Sequence, residues 1–96
     1  MSKIVRTGDD KSGRFTMIES GKEIGKMQYK WLSPSKFEIY STVIEKGFEG
    51  NGNATELLNV AVKYARDNQK TISATCSFAK NKFESTSVYE DVYEKN

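Results

Sequence analysis

Two features of this chain have residue types and spacing that could do chemistry. The first is the segment Phe48-Glu49-Gly50-Asn51-Gly52-Asn53-Ala54-Thr55. It lies between a strand-like run, Phe37 to Glu45, and an amphipathic stretch, Ala54 to Asn68. Glycines at such a junction let the backbone turn sharply and leave amide N–H groups uncovered by side chains. The first amides of a helix have no internal partner and carry partial positive charge. A strand, a glycine turn and a helix start, in that order, make a phosphate cradle. The same residues also read as an ordinary helix start, because Asn53 followed by Glu56 has capping-box spacing. The second feature is Cys76, at the end of the alternating run Thr71 to Cys76. A thiol there is either a nucleophile or proton donor, with a reference pKa of about 8.5, or a small core residue on an apolar strand face.

What is missing narrows the chemistry further. The chain has no histidine and one cysteine. That removes Ser-His-Asp and Cys-His pairs, the usual zinc sites, imidazole acid–base work and any internal disulfide. No metal site is expected. The formal net charge is only +2, which argues against a nucleic-acid binder that relies on bulk electrostatics. Gly47-Phe48-Glu49-Gly50 has the form of the Gly-x-x-Gly loop of KH domains, but such a loop wants basic residues and this one holds Glu49. The opening Met1 to Val5 has no apolar run of signal-peptide length, and nothing later is long enough to span a bilayer. With a free thiol, the expectation is a cytoplasmic protein that binds neither membrane nor nucleic acid. The 96 residues suffice for one domain, 1–96, with a modest core.

The elements that must position these groups change character midway. Lys3 to Thr7 and Arg14 to Glu19 read as strands around the turn residues Gly8 to Gly13, and Ser20-Gly21-Lys22 is a hairpin turn. Glu23 to Leu32 is the clearest strand, with Gly25, Met27, Tyr29 and Trp31 alternating with Lys26, Gln28 and Lys30. Lys36 to Glu45 carries Phe37, Ile39 and Val43 on one face and Tyr40 and Ile44 on the other, which predicts a central strand covered on both sides. Ala54, Leu57, Leu58, Ala61, Tyr64 and Ala65 then recur at helical spacing. A strand from Thr71 to Cys76 follows, and Ser77 to Glu84 is a short helix with Phe78 and Phe83 as its apolar contacts. Ser85 to Asn96 docks as a turn of helix or a strand, or frays. The expected fold is α/β (α+β): antiparallel N-terminal strands, a strand–helix–strand crossover and a short C-terminal helix on a compact mixed sheet. The glycine turn and Cys76 both fall at strand carboxyl ends, hence at one edge of that sheet.

These residues resemble the GCN5-related N-acetyltransferases, and in particular their minimal subgroup. The superfamily motif Arg/Gln-x-x-Gly-x-Gly/Ala appears as Glu49-Gly50-Asn51-Gly52-Asn53-Ala54, matching at Gly52 and Ala54 and departing at Glu49. A carboxylate near a diphosphate repels, so Glu49 is expected to point away. The subgroup's Thr-Val pair before the loop appears as Thr42-Val43, and its Ala-Arg pair late in the helix as Ala65-Arg66. Its Pro-x-Cys-x-Tyr/Phe strand end appears as Ala74-Thr75-Cys76-Ser77-Phe78, with Ala74 for proline, and its closing tyrosine as Tyr89.

The resemblance implies acetyl-coenzyme A as cofactor. It implies that the backbone of Val43 and Ile44 pairs with the pantetheine arm, and that amides of Gly50, Asn51, Gly52, Asn53, Ala54 and Thr55 hold the diphosphate. Asn81 or Lys80 is expected to reach the pantetheine or nucleotide end. Cys76 is the implied catalytic group, as acyl acceptor or as general acid toward the leaving thiolate. A backbone N–H near Val43 is a candidate to polarise the thioester. Glu45 is the carboxylate nearest the expected site in sequence, with a solvated strand end as its ordinary reading. Tyr89 and Tyr93 are either proton donors or aromatic cover. The implied activity is acetyl transfer to an amine, on a protein side chain or terminus or on a small molecule, by a monomer or weak dimer. The alternative is a non-catalytic coenzyme A-binding or protein-interaction module on the same fold.

Overall fold

The structure, a computed structural model, describes residues 2–95; Met1 and Asn96, the outermost residues of the opening and closing segments, lie outside the described residues. The elements run β1 (Ser2–Gly8), β2 (Ser12–Glu19), β3 (Lys22–Ser33), β4 (Lys36–Ile44), α1 (Asn53–Asp67), β5 (Thr71–Ala74), α2 (Ser77–Ser85) and a 3-10 turn (Ser87–Tyr89). The strands form one sheet in the order β1-β2-β3-β4-β5. The first four are antiparallel neighbours, and β5 pairs in parallel with β4 after the α1 crossover. This is the expected mixed α+β sheet.

Alternation through β2 and β3 holds as expected. Phe15, Met17, Met27 and Tyr29 are buried, whereas Lys30 on the opposite face is exposed. The buried residues meet Leu57, Leu58, Ala61, Val62 and Ala65, the apolar stripe of α1. Tyr29 lies at the centre of an aromatic cluster, with ring centroids 4.7 Å from Phe37 and 5.4 Å from Phe15. A Cβ at Gly13 would come within 2.4 Å of the Tyr29 hydroxyl, so glycine is the residue that lets β2 pass that ring.

The β4 strand departs from its expected pattern. Tyr29 is paired with Ile39 but Gln28 with Ser41, so β4 has an extra residue at this point, a bulge. A two-for-one pairing reverses which face the following side chains meet. Thr42 and Ile44, opposite the core-facing Met27 and Gly25, therefore join the α1 side. Val43 does not share the face of Phe37 and Ile39; it is 47% exposed, and Tyr40 is 42% exposed. The strand is covered on one side only from the bulge onward.

The β5 strand is also shorter than expected and ends at Ala74, not Cys76. The amides of both Thr75 and Cys76 donate to the Ile39 carbonyl, at 3.0 and 3.2 Å. That one acceptor marks the end of the β4–β5 ladder. The C-terminal segment docks in both of the expected ways, as a 3-10 turn and as a bridge between Tyr93 and Ile72. Phe83 of α2 stacks on Tyr93 at 4.8 Å and meets Tyr89 edge-on. No helix among the described residues is long and apolar enough to cross a membrane.

Candidate active site

The site forms where β4 and β5 part. Beyond Ile39 the outer edge of β4 has no strand partner. The Glu45 amide donates to the Ile24 carbonyl at 2.8 Å, and antiparallel bonding alternates along a strand. In this register Val43 and Ser41 turn their backbone groups toward β3, while Thr42 and Ile44 turn theirs toward the open edge. Of the two residues expected to present backbone groups there, Ile44 does so; Val43 is engaged with Lys26, and Thr42 takes its place.

The glycine turn lies beside that edge. Gly50 and Gly52 both have φ of 78°, in the left-handed region that glycine enters without steric cost. A Cβ at either would meet nothing within 4 Å, so the requirement is conformational and the space above them is open. Gly52 is the N-cap of α1, and no side chain caps that helix start. The capping-box reading is thereby corrected: Asn53 is the first helical residue, and its side-chain amide donates back to the Phe48 carbonyl at 3.0 Å. The first-turn amides of α1 are left facing outward, where they and the helix dipole favour an anion.

Strand edge and turn border one groove of about 490 Å3, lined by Thr42, Ile44, Phe48, Glu49, Gly50, Gly52, Asn53, Ala54, Thr55, Phe78 and Lys82. Of the expected binding residues, Ile44, Gly50, Gly52, Asn53, Ala54 and Thr55 are brought together there. Asn51 and Val43 are not among the lining residues, nor are Lys80 and Asn81, both exposed; Asn81 accepts a hydrogen bond from Ser85 Oγ through its carbonyl. The face of α2 that lines the groove is Phe78 and Lys82, four residues apart and thus on one side of the helix. The pairing of an aromatic and a cation at that spacing was the signal in the sequence. Glu49, expected to point away, is among the lining residues.

Cys76 stands just behind the groove. Its Sγ is 3.3 Å from Thr42 Oγ1, to which it donates, and it caps α2 in an extended conformation. Thr42 lines the groove and Cys76 does not, so the hydroxyl is the outer member of the pair. Glu45 is exposed just past β4. Tyr89 is 6% exposed, and its hydroxyl donates to Asn59 Oδ1 on α1. Burial and the Glu84 carboxylate hold the Tyr93 phenol above its ordinary pKa. Both rings pack on Phe83 of α2, and neither is among the groove-lining residues.

A larger groove, about 780 Å3, lies at the opposite end of β4 between Arg6, Trp31, Tyr64 and Lys70. Its cations are already engaged, Arg6 with the Tyr29 hydroxyl at 2.9 Å and Lys70 with the Pro34 carbonyl at 2.8 Å, and it has neither an open strand edge nor a helix start. The smaller groove is therefore the candidate site.

The sequence of residues 14–92 matches the model of the GCN5-related N-acetyl-transferase family, and the chain belongs to that family. Its fold is similar to the solution structure of a GCN5-like protein from Staphylococcus aureus, with 27% identity, a TM-score of 0.75, and coverage of 98% of this chain and 89% of that one. It is also similar to ribosomal-protein-alanine N-acetyltransferase from Brucella melitensis biovar Abortus, at 14% identity and a TM-score of 0.63, covering 79% of this chain and 63% of that one. Tetrahymena GCN5 gives 17% identity and a TM-score of 0.63, over 79% of this chain and 50% of that one. No curated protein matches the chain.

Proposed function

We propose that this protein is an acetyl-coenzyme A dependent N-acetyltransferase acting on an amine, of a protein side chain or chain terminus or of a small molecule. The observation that carries the reading is the juxtaposition of an uncapped helix start and an unpaired strand edge in one groove. Together they offer what a pantetheine nucleotide needs. The first-turn amides of α1 suit the diphosphate. The edge groups of Thr42 and Ile44 suit the amides of the pantetheine arm, in the manner of an added strand.

When bound, acetyl-coenzyme A supplies an acyl group already activated as a thioester. The chain's own residues then orient, polarise and supply a proton. The amide of Thr42 or Ile44 is placed on the edge where a carbonyl can accept from it. The Cys76 thiol donates to Thr42 Oγ1, which frees the Thr42 hydroxyl proton to point into the groove. The pair can therefore deliver a proton to a leaving thiolate, with Cys76 replenishing Thr42. An amine of lysine type has a pKa of about 10.4 and must lose a proton before it attacks. The lining residues include no carboxylate other than Glu49, in the turn. That observation favours one competing reading, a member of the family that binds coenzyme A without turnover.

Titration with acetyl-coenzyme A, followed by addition of lysine peptides or polyamines and assay of free thiol, separates the two. Saturable binding with thiol release supports the enzyme. Binding without release across a wide amine panel supports the binding module. Unmoved amide resonances from residues 50–55 at saturating coenzyme overturn both.

A further inference from the structure

Lys82 lines the groove from α2, one turn beyond Phe78, while the uncapped turn of α1 lines it from the other side. Lys82 is half-buried, whereas its neighbour Lys80 is exposed. The ion pairs of the described residues join Lys30 to Glu38, Lys36 to Glu94, Lys63 to Asp67, Arg66 to Asp91 and Lys95 to Glu84, and none engages Lys82. A half-buried lysine lays its apolar stem along the surface and leaves its ammonium free to meet an anion. Glu49, an exposed residue, lines the same groove and forms no ion pair with Lys82. An anion entering at the first turn of α1 is repelled by Glu49, and Lys82 is the one cationic residue of the lining that can offset this.

We propose that Lys82 is a coenzyme-binding residue, whose ammonium pairs with the diphosphate at the uncapped turn and offsets the charge of Glu49. The assignment rests on the reading of the groove as a coenzyme A site, and it moves the cationic contact from the turn itself to α2.

Calorimetric titration of coenzyme A and of dephospho-coenzyme A, which lacks the 3′-phosphate but keeps the diphosphate, tests it on wild type, Lys82→Gln, Lys82→Arg and Lys80→Gln. The expected result is a loss of roughly tenfold for both ligands in Lys82→Gln, as for one charge-assisted contact. Lys82→Arg and Lys80→Gln stay within about threefold of wild type, since one keeps the cation and the other removes an exposed, screened charge outside the groove lining. Melting curves of the free variants verify that each is folded. Unchanged affinity in Lys82→Gln, an equal loss in Lys80→Gln, or a loss confined to the ligand with the 3′-phosphate overturns the assignment while leaving the coenzyme site standing. Absence of binding by wild type overturns the site and the assignment together.

Discussion

Gly52 and Gly21 allow the anion-binding role of the turn to be separated from its conformational demand. Their φ values are 78° and 77°, and a Cβ at either meets nothing within 4 Å. Alanine at each position therefore incurs the same left-handed strain, about 1–2 kcal/mol, partly offset by about 0.4–1 kcal/mol from the stiffer unfolded chain. A net loss of about 1 kcal/mol lowers Tm by about 4–8 °C in a domain of this size. Gly21→Ala and Gly52→Ala should match in this respect. They should differ with coenzyme A present, because Gly21 sits in the β2–β3 hairpin and Gly52 caps the helix that borders the groove. A hydrogen bond to a charged oxygen is worth about 1.5–3 kcal/mol, so a methyl group or a shifted turn that removes one such bond weakens binding about ten- to a hundredfold. At ligand equal to about 100 times the wild-type Kd, wild type and Gly21→Ala gain about 2.7 kcal/mol of stability. Gly52→Ala should gain only about 0.4–1.4 kcal/mol. Melting curves with and without coenzyme A, backed by calorimetry, measure both quantities. If Gly52→Ala is stabilised by coenzyme A as much as Gly21→Ala, the amides at this turn do not hold the ligand.

Other consequences can be measured as directly. Cys76→Ala and Thr42→Val should each lower acetyl transfer at saturating acetyl-coenzyme A by about a hundredfold with little change in coenzyme affinity, and the double variant should lose little more than either alone. Full turnover in Cys76→Ala excludes the thiol from the reaction. Gly13→Ala should destabilise the fold by more than Gly21→Ala does, since its methyl meets the buried Tyr29 ring rather than open space; equal melting temperatures would refute that packing. The Arg66 guanidinium donates to both Asp91 oxygens, at 2.7 and 2.9 Å, and holds that carboxyl below its ordinary 3.8. A depressed carboxyl stabilises the docked tail at pH above its unfolded value, and the contribution is lost as pH falls through the lower folded value. Hydrogen-exchange protection of the Glu94 amide, bonded to the Ile72 carbonyl at 2.8 Å, should therefore drop below pH 3.8 in wild type. In Asp91→Asn it should be weaker near neutrality and flat through that range.

Much of this arrangement was legible in residue types. Glycines before an amphipathic stretch located the helix start, and the alternation from Gly25 to Trp31 located the core face of β3. Local spacing misled at Asn53, whose capping potential is spent on the Phe48 carbonyl instead, because Gly52 already supplies the turn. Strand period misled at Val43 and at Cys76. A bulge between Ile39 and Ser41 has no signature in Tyr40-Ser41, since bulges are set by how two strands register and not by one strand's propensities. The start of α2 at Ser77 is read correctly, but the resemblance points to Asn81 or Lys80 on it, whereas the side of the helix that lines the groove carries Phe78 and Lys82, which is decided by how α2 packs and not by its own sequence.

The misreadings at Val43 and Cys76 have one cause, and it is the event that builds the groove. The bulge reverses the parity of β4, which brings Thr42 and Ile44 to the face of α1 and turns their backbone groups to the outer edge. At the same point Ile39 takes two amides from the β5 side, which ends the ladder and frees that edge. A β4 strand without the bulge would leave Val43 on the core face, keep its edge available to a longer β5, and place Cys76 inside the sheet beside its neighbour strand. The thiol would then be the small core residue that its strand period predicts. The irregularity instead lets Cys76 cap α2 with its sulfur against Thr42, behind an open edge and beside an uncapped helix. Places where consistent local patterning fails are where a fold gives up regular pairing for a site. Here the break in alternation at residues 40–44 locates the chemistry as closely as the glycine turn does.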